Sequence, residues 1–96
     1  MNCTSYEKFF RMLTNKTRLR IIEILLKKDK NVSEICEMLK EEQSKVSHNL
    51  KQLLICNFIT QKIEGKKRIY SLNKETIKPL FEIMKKHVKK NCRGKY

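Results

Sequence analysis

The chain has 96 residues, of which 23 are Lys or Arg and 10 are Asp or Glu, giving a formal charge of +13. Its 40% hydrophobic content suffices for one small core and excludes a second domain or the deep substrate cavity of a large enzyme, so residues 1–96 read as a single domain. No apolar run approaches the roughly 20 residues of a membrane-spanning helix, and Met1 to Glu7 lacks the basic-then-apolar form of a secretory signal, so a cytoplasmic protein is expected, with a polyanionic partner for its excess charge.

Two glycines and one proline leave most of the chain free to be helical. Ser5 is placed to cap a short amphipathic helix over residues 5–13, with Tyr6, Phe9, Phe10 and Leu13 spaced three and four apart. After Thr14-Asn15, the residues Leu19, Ile21, Ile22, Ile24, Leu25 and Leu26 occupy most of the circumference of a second helix, which therefore belongs at the centre of the core. Asn31-Val32-Ser33-Glu34 fits a capping box and opens a brief third helix with Ile35, Met38 and Leu39 inward, broken by Lys40-Glu41-Glu42. A fourth helix over about 43–56 places Val46, Leu50, Leu53 and Leu54 on one stripe. Its opposite face carries Lys45, Ser47, His48, Lys51 and Gln52, without a carboxylate. Cys56-Asn57-Phe58 closes this helix, with Asn57 as the left-handed residue. Ile59, Gln61 and Ile63 then alternate with Thr60, Lys62 and Glu64, Gly65-Lys66-Lys67 turns, and Arg68 to Leu72 returns, which is a β-hairpin with a basic tip. The last helix, about 74–91, lines up Ile77, Leu80, Phe81, Met84 and Val88, with Pro79 in its first turn or two.

This order, α-α-α-α-β-β-α, is a mainly α fold with a small β-hairpin and matches a winged helix-turn-helix. The major groove of DNA admits one α-helix, whose short polar or forked side chains read base edges. Gln43, Ser44, Lys45, Ser47, His48, Lys51 and Gln52 are those side chains on the fourth helix. The wing, residues 64–70, carries Lys66, Lys67 and Arg68 toward flanking phosphates or the adjacent minor groove. Arg18 and Arg20 either support phosphate contact or form intramolecular ion pairs, and the run from Lys85 to Lys90 reads as a solvated helix end favoured by the helix dipole. A phosphate-binding glycine loop, an H-E-x-x-H helix and a nucleophile elbow are all missing, so no catalysis and no cofactor are expected.

The residues also resemble a known family. Leu13-Thr14-Asn15-Lys16-Thr17-Arg18-Leu19-Arg20-Ile21-Ile22 is similar to the opening helix motif of ArsR-type transcriptional repressors. Ser44-Lys45-Val46-Ser47-His48-Asn49-Leu50-Lys51-Gln52-Leu53 resembles their recognition helix, and Glu64-Gly65-Lys66-Lys67-Arg68-Ile69-Tyr70-Ser71-Leu72 their wing. The resemblance implies a homodimer joined through the first and last helices, here Phe9, Phe10, Leu80, Phe81, Met84 and Val88. It also implies double-stranded DNA as partner and repression relieved by an effector. The family's metal-sensing thiolate box falls on Lys30 to Ile35 with Asn31 and Ser33 in the thiolate positions, and its other site, built on the last helix, finds only His87. No metal ligands are therefore assigned. Asn49 replaces the second histidine of the recognition motif and Lys40 the turn glycine.

Four cysteines without a C-x-x-C pair do not form a zinc ribbon, and thiols of a cytosolic chain are mostly buried packing residues. Cys36 and Cys56 read first as packing. Cys3, Cys36 and Cys92 are kept as candidate sensing thiols for a metal ion or an oxidant. The alternative functional reading is a nucleic-acid or chromatin-associated binder without sequence preference, for which basic charge suffices.

Overall fold

Side-chain caps set the starts of the first three helices. In the computed structural model, which describes residues 4–92, Ser5 Oγ accepts the Lys8 amide at 3.2 Å and opens α1 (Tyr6–Leu13). Asn15 Oδ1 accepts the Arg18 amide at 2.9 Å and opens α2 (Lys16–Lys27). The expected capping box opens α3 (Val32–Leu39): Asn31 Oδ1 accepts from the Glu34 amide and Glu34 Oε1 from the Asn31 amide, each at 2.9 Å. Each such cap satisfies a first-turn amide that the helix cannot, worth about 1 kcal/mol. The hydrogen bond from the Asn31 amide holds the Glu34 carboxyl below the ordinary carboxylate range, partly opposed by desolvation and helped by Lys30, Lys67 and Lys28.

The segment between α3 and α4 (Gln43–Ile55) turns through Lys40, whose backbone is left-handed at φ 56° and ψ 44°. The amides of Lys40 and Glu41 both reach the Cys36 carbonyl, at 2.8 and 3.3 Å. A side chain with a Cβ adopts this conformation at a cost of about 1 kcal/mol relative to glycine. Lys40→Gly is accordingly expected to raise the unfolding free energy by about 1 kcal/mol, seen in urea titration as a higher midpoint at unchanged slope.

Asn57 is left-handed as expected, at φ 58°. It leads into β2 (Ile59–Glu64), which pairs antiparallel with β3 (Lys67–Leu72) in the register Ile59↔Leu72, Gln61↔Tyr70, Ile63↔Arg68 and Glu64↔Lys67. The expected element order gains one short strand. Lys30–Asn31 forms β1, paired antiparallel with β3 through Lys30↔Tyr70 and Asn31↔Ile69, so the sheet runs β1-β3-β2. Two residues give no alternation to read, and Asn31 serves at once as strand end and helix cap.

The last helix starts at Ile77, where its hydrophobic stripe begins, rather than at about 74. Asn73 Oδ1 accepts from the amides of Glu75 and Thr76 at 3.0 and 3.3 Å, bending residues 74–76 into a turn before α5 (Ile77–Asn91). Pro79 is thus the third residue of α5, where the absent amide has no intrahelical partner to lose. Asn73 Nδ2 also donates to the Asn57 carbonyl at 2.9 Å and ties this turn to the end of α4.

Ile21, Ile22, Ile35, Val46, Leu50, Leu53, Phe58 and Ile59 are buried completely or nearly so, which places α2 at the centre of the core with α3, α4 and the root of the hairpin around it. One expectation fails. Met38 is 53% exposed, because the short α3 covers the core with Ile35 and Leu39 only. Ile63 is 70% exposed, because the hairpin runs on past the core that Ile59, Tyr70 and Leu72 complete.

Candidate nucleic-acid interface

The burial of Val46, Leu50 and Leu53 fixes the rotation of α4 about its own axis, leaving Gln43, Ser44, Lys45, Ser47, His48 and Lys51 exposed and Gln52 half-buried at the edge. The outward side chains are therefore short donors and acceptors with one lysine at each end of the stripe, the chemistry that base edges and phosphates accept. No side chain caps the α4 N-terminus, since Glu42 precedes it without a capping hydrogen bond.

Asn49 turns inward, 4% exposed, and holds the helix from behind. Its Oδ1 accepts from Arg18 Nη1 at 3.2 Å and its Nδ2 donates to the Lys45 carbonyl at 2.9 Å. Arg18 Nε donates to the Met12 carbonyl at 2.8 Å. Arg18 therefore joins the end of α1, its own α2 and α4 through neutral acceptors. Of the two roles expected of it, ion pairing gives way to this structural one, since none of the ion pairs among the described residues includes Arg18. The replacement of histidine by Asn49 bears on how α4 is seated, not on its outer face.

The outer face is less free of acid than its own residues suggested. Glu41, on the turn one helical turn earlier, places Oε2 3.2 Å and Oε1 3.3 Å from Lys45 Nζ. Exposed pairs of this kind contribute about 0.2–1 kcal/mol, little enough for a phosphate to displace.

At the wing, Gly65 takes φ 64° as the first of two loop residues between the paired Glu64 and Lys67, as a tight hairpin turn requires. A Cβ added at Gly65 would meet nothing within 4 Å, so the tip stands clear of the protein. Lys66, Lys67 and Arg68 are all exposed there.

The residues expected at a dimer contact divide. Phe9 is half-buried, tilted against Phe58 at 5.0 Å and edge-on to Phe10 at 5.4 Å, whereas Phe10 is 57% exposed. Leu80, Met84 and Val88 are half-buried, but Phe81 belongs to the core of its own protomer at 8% exposure. Tyr6, read only as part of the first helix's apolar stripe, and Ile83, not singled out in the sequence, are 88% and 66% exposed. Their spacing, Tyr6 four before Phe10 and Ile83 three after Leu80, was the signal that could have found them. Between α2 and α5 lies an open groove with an apolar floor that includes Leu19, Ile24, Met38, Met84 and Val88.

Cys36 and Cys92 are half-buried free thiols, and Cys3 lies outside the described residues. Burial pushes the Cys36 thiol up, against a smaller opposing effect of a backbone hydrogen bond, which makes it a weak nucleophile at neutral pH. Among the described residues no group of three or more His, Cys, Asp and Glu could hold a metal ion, and no helix is long and apolar enough to cross a membrane.

The family model for bacterial regulatory proteins of the arsR family matches residues 15–61, from the cap of α2 into β2. The chain is also 37% identical over 77 residues to the arsenical resistance operon repressor of Bacillus subtilis (strain 168), which covers 79% of this chain and 73% of the relative. The chain belongs to the ArsR family. Among solved structures, the crystal structure of M. tuberculosis Rv0081 superposes on this ArsR-family chain with a TM-score of 0.80 at 27% identity, covering 88% of this chain and 85% of the other. The solution structure of the homodimeric winged helix-turn-helix domain of Mb0332 from Mycobacterium bovis gives 0.79 at 22% identity, over 85% and 76% of the two chains, and shows the shared fold. Within this ArsR-family fold, Asn31 is committed to its capping box and Ser33 is exposed on α3.

Proposed function

We propose that the protein is a homodimeric, sequence-specific DNA-binding repressor of the bacterial cytoplasm, with α4 in the major groove and the wing on the flanking backbone or minor groove. The observation that carries this reading is the joint exposure of the outer face of α4 and of the wing tip in an ArsR-family chain of charge +13. The relative from Bacillus subtilis is named as an operon repressor and the Mycobacterium bovis neighbour as a homodimeric DNA-binding domain, which supports both halves of the reading. Gln43, Ser44, Ser47, His48 and Gln52 contact bases, Lys45, Lys51, Lys66 and Lys67 contact phosphates, and Arg68 works with the wing. The second protomer covers Tyr6, Phe10, Leu80 and Ile83 together with the apolar groove between α2 and α5. No step in this role requires catalysis. The effector is unidentified, with a metal ion or an oxidant at Cys3, Cys36 or Cys92 the candidates to load in vitro.

The test is a mobility-shift titration on the chain's own promoter region across a range of salt. Specific sites are expected to bind at least about 10³-fold more tightly than unrelated DNA. Equal affinity for both would replace this reading with that of a general nucleic-acid binder. Lys51→Ala is expected to reduce the steepness of the log affinity against log salt plot by about 0.9, one phosphate contact, without changing the preferred site.

A further inference from the structure

The two faces of the wing differ in charge and polarity. On one, Lys62 Nζ lies 3.1 Å from Glu64 Oε2, Lys67 stands across from Glu64, and Lys67 is also within electrostatic reach of Glu34. Cations and carboxylates on that face largely offset one another. On the other, Ile63 stands directly across from Arg68, so their side chains project side by side, with Cβ atoms about 5 Å apart. Strand alternation puts this pair on the same face as Ile59, Tyr70 and Leu72, which are buried at the root of the hairpin. Past the core that face is open: Ile63 is 70% exposed, Arg68 is exposed, and none of the ion pairs among the described residues includes Arg68.

We infer that Ile63 and Arg68 form the base-selecting edge of the wing, entering the minor groove beside the half-site and favouring A·T pairs there. This rests on the DNA-binding reading above. A polyanion is drawn to the face whose cation is uncompensated. Minor-groove readers combine an arginine, attracted by the deep negative potential of a narrow A·T-rich groove, with an apolar side chain laid against the sugars or a base step. Arginine suits this place better than lysine because its guanidinium is planar and more weakly hydrated. An exposed isoleucine contributes nothing to the protomer's core, whereas against deoxyribose it buries apolar surface. Lys66, at the tip, and Lys67, on the balanced face, are left to phosphates, so sequence preference outside the α4 contacts comes from one cross-strand pair.

The experiment is selection of bound duplexes from a random pool by the full chain, by Arg68→Lys and by Ile63→Thr, which keep respectively the charge and the β-branching. The wild type is expected to enrich a two-fold core motif bounded by A·T-rich flanks. Both variants are expected to enrich the same core without the flanks and to bind the A·T-flanked site about tenfold more weakly, with G·C-flanked sites unchanged and thermal melts superimposable on the wild type. Unchanged flank preference in both variants overturns the inference, as does an equal loss on A·T and G·C flanks, which marks a phosphate contact only. A wild type that enriches no motif at all overturns the DNA-reading function itself, and is told apart by the missing core.

Discussion

Replacing Arg18 with alanine is expected to cost about 2 kcal/mol of folding free energy and to lower the melting temperature by roughly 8–16 °C. The guanidinium donates to the Met12 carbonyl at 2.8 Å and to Asn49 Oδ1 at 3.2 Å. Asn49 is 4% exposed, so its oxygen would lose its donor in a largely buried place. Leaving a buried acceptor unsatisfied costs more than a hydrogen bond contributes on average. Arg18→Lys is expected to rescue little, because the donors of an ammonium all radiate from one nitrogen, whereas Nε and Nη1 of Arg18 reach Met12 and Asn49 separately. In a double-mutant cycle, Arg18→Ala and Asn49→Ala should fall short of additivity, since each removes the same contact. DNA affinity should drop further than stability alone explains, because Asn49 fixes α4 through the Lys45 carbonyl at 2.9 Å. A melt of Arg18→Ala within two or three degrees of wild type, at unchanged DNA affinity, would show that the tie is incidental.

That tie marks the boundary of what the sequence displays. Period and punctuation carry local structure, so the helices, the Asn31–Glu34 capping box, the left-handed Asn57 and the hairpin with its glycine turn are all legible before any coordinates. The outer face of α4 is legible for the same reason, because Val46, Leu50 and Leu53 leave the helix only one way to face the core. What depends on partners distant in sequence is not. Arg18 reads as a surface cation until Asn49, 31 positions later, is seen beside it. Asn31 reads as a cap only, and with Lys30 becomes a strand because β3 passes alongside. Phe81 and Ile83, two positions apart on the amphipathic α5, fall on opposite sides of the helix at 8% and 66% exposure, a division that the helical period does carry. Ile63 continues a clean alternation into a part of the hairpin with no core beneath it. In that position the pattern gives the strand without deciding burial, and an apolar side chain left open past the core is where a binding surface is most readily found.

Ile83→Asp is expected to convert the protein to a monomer in sedimentation and to weaken binding to a full two-fold site by about 10²–10⁴, while binding to a single half-site changes little. Ile83 is 66% exposed, three residues beyond the half-buried Leu80, and α1 exposes Tyr6 and Phe10 in a similar two-residue patch. These side chains are too large and too closely grouped to be left in water by chance. Joining two protomers makes the second half-site contact intramolecular, so the dimer gains affinity from effective concentration without any new DNA contact. An aspartate in the apolar contact has no partner there, and the cost of desolvating it opposes association. Because position 83 is exposed in the protomer, the variant should stay folded, with a melting temperature lowered only by the lost linkage to dimerisation. Phe81→Asp supplies the contrast: that side chain is 8% exposed within its own protomer, so the same charge two residues earlier should unfold the chain. If Ile83→Asp remains a dimer, the contact lies on another surface, and the groove between α2 and α5 becomes the next place to introduce the charge, at Met38, which lines it and is 53% exposed.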